Sequence, residues 1–170
     1  GCNGKIIGKD SSETLNLDMF NHDTEAGYFA SLETIQIYMN NITTLKNSVP
    51  DITNKCNKTN TYRKILTGLT TIKINDSSKL ETIDISCCKD FSTLETVEII
   101  TSKNLTIHES AFQDCSGLKT VTIVLTSYNP TIIIKNSAFK NTTNLDYVYI
   151  TSKKDKTINI SLGNDVFLNS

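Results

Sequence analysis

Two short clusters hold the residue types that metal or acid–base chemistry would use. His22, Asp23 and Glu25 lie within NHDTEAG, one imidazole and two carboxylates that a tight fold could close on a metal ion. His108, Glu109 and Ser110 stand side by side and spell the letters of a base, an acid and a nucleophile. Sequence neighbours rarely form the required hydrogen-bonded chain, because each group must meet the next across space. The second cluster is therefore not read as a catalytic set, and the first is read as a charged loop. The seven glycines fall in no G-x-G-x-x-G or G-K-S/T arrangement, so no phosphate loop is expected. No catalytic residue, metal site or cofactor is assigned, and the chain is read as non-enzymatic.

The cysteines give no more chemistry. Five occur, at 2, 56, 87, 88 and 115, an odd number without regular spacing and without a Cys-x-x-Cys pair. Cys115 reads as a small apolar plug. Cys87 and Cys88 are adjacent, and in an extended segment they would face opposite ways, one inward and one outward. A disulfide from Cys56 to Cys2 or to one of the pair stays open.

The elements that would position these residues are far more informative. LETIQI (32–37), LTTIKI (69–74), LETVEI (94–99), LKTVTI (118–123) and LDYVYI (145–150) repeat one pattern, with SETLNL (12–17) a looser copy. The last three letters alternate in, out, in, as a short half-buried strand does. A second short element follows several of them: ITTL (42–45), LETIDI (80–85), LTI (105–107), TIII (131–134) and TINI (157–160). An aromatic then punctuates: Phe91, Phe112, Phe139 and Phe167. Starts at 12, 32, 69, 94, 118 and 145 give steps mostly of 20–27 residues, the period of a leucine-rich-repeat solenoid. The intervening segments are too short and polar for helical crossovers. The expected fold is therefore a solenoid of about six coils, with short parallel β-strands, tight turns and brief helical pieces near FSTLE and SAFQD.

One coil cannot bury its own apolar face, so stacking supplies the core. Ile35, Ile72, Val97, Val121 and Val148 form one expected column, and Phe112, Cys115, Phe139 and Phe167 fill the opposite corner. The whole chain, 1–170, reads as a single domain. Residues 1–11 read as an N-terminal cap, 46–66 as an enlarged loop or irregular coil, and 145–170 as a last coil that is either truncated or paired end to end with another copy.

The segment AFQDCSGLKTVTI resembles the BspA-type (Treponema-type) leucine-rich repeats through Ala111, Phe112, Cys115, Leu118, Val121 and Ile123. AFKNTTNLDYVYI is similar through Ala138, Phe139, Leu145, Val148 and Ile150, with polar residues at the cysteine place and one extra residue before Leu145. The resemblance spans about 69–170 and is weaker over 12–68. It implies a cell-surface or extracellular protein concerned with adhesion or host contact, of a kind found in oral bacteria and parasitic protists. The Asn, Lys, Ile and Thr excess suggests an AT-rich genome and, with the resemblance, a protist such as an amoeba or trichomonad. A cytoplasmic location stays open.

Charge is nearly balanced at −1, and the lysines are scattered, which gives no basic face for nucleic acid. No run approaches the roughly 20 apolar residues of a membrane span. Outward hexamer positions Gln36, Lys73, Glu98, Thr122, Tyr147 and Tyr149 make the expected binding face for a protein or glycan ligand. The tyrosines read as interface anchors or as residues covered by a further coil. Asn-x-Ser/Thr begins at Asn41, Asn57, Asn75, Asn104, Asn141 and Asn159, and a secreted eukaryotic glycoprotein would carry glycans at such sites. Two functions follow: a surface interaction module, or a structural repeat scaffold that self-associates or spaces other domains.

Overall fold

The computed structural model describes residues 2–6, 14–16, 32–37, 43–46, 68–154 and 157–170. The chain is a parallel β-solenoid. Strands β1 (Cys2–Ile6), β3 (Leu32–Ile37), β5 (Thr71–Ser78), β7 (Thr96–Thr101), β9 (Thr120–Leu125) and β11 (Tyr147–Ser152) hydrogen-bond in that order as one six-stranded sheet. Strands β2 (Thr14–Asn16), β4 (Thr44–Lys46), β6 (Thr82–Ile83), β8 (Leu105–Ile107), β10 (Thr131–Ile134) and β12 (Asn159–Leu162) form the second. The segment read as a cap thus contributes β1, paired with β3. The enlarged loop lies, beyond Lys46, outside the described residues.

Alternation sets the register. Ile72, Val97, Val121 and Val148 stand opposite one another, as do Ile74, Ile99, Ile123 and Ile150, so identical faces stack turn upon turn. Ile35 holds the same backbone register between Gly4 and Ile72. Strands β7 and β9 bury every second residue, because a one-residue slip would turn all of these side chains to water. Val148 is only partly buried and packs on the core from one side. The Thr101 hydroxyl, buried at a strand end, donates to the Leu80 carbonyl at 2.7 Å.

A third wall joins the sheets, and no helix occurs among the described residues. Where SAFQD suggests a helical piece, three overlapping turns occur: Ala111 N–H donates to His108 O, Gln113 N–H to Ser110 O, and Cys115 N–H to Phe112 O. Ser110 and Asp114 hold positive φ, 56° and 61°, and two left-handed residues four apart interrupt any right-handed helix. The same signs recur at Ser86 and Asp90, Ser137 and Asn141, and Asp165 and Asn169. The flipped peptides aim alternate N–H groups at the next turn. Phe112 N–H meets Ala138 O at 2.8 Å, and Phe139 N–H meets Val166 O at 2.9 Å. Parallel ladders therefore bind neighbouring turns on three sides.

The corner departs from the expected aromatic column in one turn. The turn bonds Phe91 N–H to Cys88 O, Cys115 N–H to Phe112 O, and Thr142 N–H to Phe139 O put Phe91 at the place of Cys115 and Thr142. Cys88, not Phe91, holds the column place in that turn. Phe91 is still buried. Cys87 and Cys88 are both fully buried thiols, where one was expected outside, because they sit in a turn and not in an extended segment. Phe112 stacks on Phe139 at 5.2 Å between centroids, and Phe139 on Phe167 at 5.6 Å. Phe167 is covered by Phe139 on one side yet remains 40% exposed, so it is not the core residue expected.

Cys115 is buried as expected, but it is more than an apolar plug. Its thiol donates to the Cys88 carbonyl at 2.9 Å, and burial, together with the neighbouring Cys88, pushes its pKa well up. Gly117 answers a different demand: a methyl there would drive into the Ser92 carbonyl oxygen of the preceding turn. The turns approach too closely at that point for a side chain.

Candidate functional site

The outer face of the first sheet is built by the residues that alternate with the core columns. Lys73 stands beside Gln36 on one strand and Glu98 on the other, and Glu98, Thr122 and Tyr149 follow in register. A neighbouring row runs Thr34, Thr71, Thr96, Thr120 and Tyr147. Register thus brings all six expected face residues into two adjacent rows, with strands about 4.8 Å apart. The Thr120 and Thr96 hydroxyls approach at 3.5 Å.

The two ends of this face differ in character. Lys73 Nζ meets a Glu98 carboxylate oxygen at 3.0 Å, a half-exposed pair across neighbouring strands. At the other end Tyr147 and Tyr149 stand 54% and 56% exposed on β11. A third outward row, Ile100, Val124 and Thr151, lies half-buried beside them. Lysines and glutamates pair at the rim, where Lys119 Nζ lies 3.0 Å from Glu95. The alternation rule found the two main rows. It missed the third, which continues the same rhythm one residue beyond each hexamer.

Of the two clusters that suggested chemistry, only His108, Glu109 and Ser110 lie among the described residues. His108 Nδ1 lies 3.6 Å from Glu109, and Lys135 reaches the same carboxylate at 4.0 Å. Ser110 is taken up by the corner, where its N–H donates to the Asn136 carbonyl. His22 and its acidic neighbours lie outside the described residues. Among the described residues no group of three or more His, Cys, Asp and Glu side chains is arranged to hold a metal ion. No helix among them is long and apolar enough to cross a membrane.

The Asn-x-Ser/Thr sites fall in different settings. Asn104 and Asn159 are exposed, and the Asn104 side-chain oxygen accepts the Thr131 N–H at 2.9 Å. Asn141 is engaged in a corner ladder: its amide donates to Asp114 at 2.7 Å and its oxygen accepts from Asn169 at 3.1 Å. Asn41 and Asn57 lie outside the described residues, as does the side chain of Asn75. Cys56 and the Cys2 side chain, between which a disulfide stays open, lie there too.

No protein-family model, curated protein or solved structure matches this chain. Its functional reading therefore rests on its own residues.

Proposed function

We propose that the chain is a leucine-rich-repeat module of the BspA type, six coils long, that serves a surface or secreted protein in adhesion or receptor-like binding. The strand face does the binding and no catalysis is involved. The observation that carries this reading is the exposed pair Tyr147 and Tyr149 at the end of two in-register outward rows. Large amphipathic rings supply contact area at little cost in side-chain entropy. Replacing both by serine should abolish binding to a cell or matrix surface and leave the urea unfolding midpoint nearly unchanged. Surface binding that persists in this variant contradicts the reading.

A scaffold that self-associates is the second reading. It is favoured by Ile160, Leu162, Phe167 and Leu168, 40–55% exposed along β12 and the corner after it. End-to-end contact through this apolar edge would continue both sheets from one copy to the next. Light scattering over a concentration series separates the two. A mass that rises with concentration and returns to the monomer in Leu162→Lys supports the scaffold, whereas a monomer throughout contradicts it.

A further inference from the structure

We infer that the tyrosine end of the strand face binds a neutral glycan, which deepens the strand-face reading and rests on it. Tyr147 and Tyr149 are two residues apart on one strand, about 7 Å along it. Their rings are close enough for a short run of sugars to lie over both. Beside them stand the hydroxyls of Thr120 and Thr122 on the next strand and of Thr151 on the same one. Each hydroxyl both donates and accepts, as each sugar hydroxyl does. Pyranose rings also carry apolar C–H faces that pack on an aromatic ring whose hydroxyl stays wet.

Charge decides which glycan. The outward positions of β7, β9 and β11 carry one charge, Glu98, and it is paired with Lys73. Lys119 at the rim is paired with Glu95. A sulfated or sialylated chain would find no cation in this block to offset its desolvation, whereas a neutral chain needs none. A peptide partner would want the enclosed pocket in which an anchor side chain is desolvated. The block offers rows of standing side chains instead.

The test is a printed array of neutral and acidic oligosaccharides probed with this 170-residue chain, run beside a matrix coat before and after enzymatic deglycosylation. Retention is expected on neutral glycans. It should be unchanged at about 1 M salt, where the Debye length is only about 3 Å. Tyr147→Ser/Tyr149→Ser should lower it about tenfold or more with unfolding unaltered. Tyr147→Phe/Tyr149→Phe, which keeps both rings, should retain most of it, and this holds the test open should the serine pair disturb folding. Retention on no neutral glycan, or on acidic ones alone, overturns the inference. Matrix binding that needs the tyrosines but survives deglycosylation also overturns it while leaving the strand-face reading intact. Matrix binding indifferent to the tyrosines ends the strand-face reading itself.

Discussion

Two adjacent corners share one backbone and are filled in opposite ways. In the turn that ends at Cys115 the large residue comes first and the small one three places later, Phe112 then Cys115. In the turn before it the order is reversed, Cys88 then Phe91. The later turns follow the first arrangement, with Phe139 then Thr142 and Phe167 then Ser170. What the corner requires is one large side chain and one small one, rather than a phenylalanine at a fixed place. The small residue also brings a donor for a carbonyl at the column. Cys115 Sγ reaches Cys88 O, and the hydroxyls of Thr142 and Ser170 both reach Phe139 O at 2.6 Å. Phe91 brings none, so the exchanged corner forgoes that bond.

The largest expected difference lies in the stacked column. Phe139 is fully buried between Phe112 and Phe167, so Phe139→Ala should cost about 3–5 kcal/mol in urea unfolding. Phe167→Ala, at the exposed end of the same stack, should cost clearly less. A similar loss at both sites would mean that burial by the neighbouring turn is not what stabilises the column.

Next comes the joint between the two corners. Gly117→Ala should cost about 1–3 kcal/mol, because the Ser92 carbonyl it meets is backbone and cannot rotate aside. A neutral outcome in thermal unfolding would show that the two turns part there at little cost.

The thiol of Cys115 gives a pH signature. Its folded pKa is raised by burial, so its contribution to stability is fully present below the unfolded thiol pKa of about 8.5. That contribution is lost as pH rises from there through the folded value, because the unfolded chain ionises first. Unfolding midpoints from neutral to alkaline pH should therefore fall more steeply in the natural chain than in Cys115→Ser. Parallel profiles would contradict a buried neutral thiol. The smallest effect is expected on the outer face. Lys73→Met should change stability by only about 0.2–1 kcal/mol, since a half-exposed pair is well screened.

These contrasts follow what the sequence makes legible. The strands were readable because alternation in TVEIIT and TVTIVL reports a buried face directly. The second short elements were readable as well, and the two residues of β6 fall inside one of them, LETIDI. The corner was harder. SAFQD looks like a helical fragment until Ser110 and Asp114 are set beside Ser86 and Asp90, Ser137 and Asn141, and Asp165 and Asn169. Asn and Asp four residues after a small polar residue, in turn after turn, are the signal of paired left-handed positions. Phe91 misled because an aromatic letter was matched to an aromatic place, when the volume of the pair is what packing constrains. The outer face was legible as geometry and not as chemistry. Packing fixes which residues point outward, but it places no demand on what they meet.

The exchange of sizes between positions 88 and 91 is the claim most open to a decisive test, a double-mutant cycle measured by urea unfolding. Cys88→Phe alone should destabilise through overpacking, by about 1–3 kcal/mol. Phe91→Cys alone should cost about 3 kcal/mol through the space it empties. The double variant, which restores the arrangement of Phe112 and Cys115, should lose less than about 1.5 kcal/mol, as volume-conserving exchanges do. The two changes would then couple far outside the roughly 0.3–0.5 kcal/mol scatter of independent sites. Additive losses, or a Cys88→Phe variant more stable than the natural chain, would contradict the shared corner.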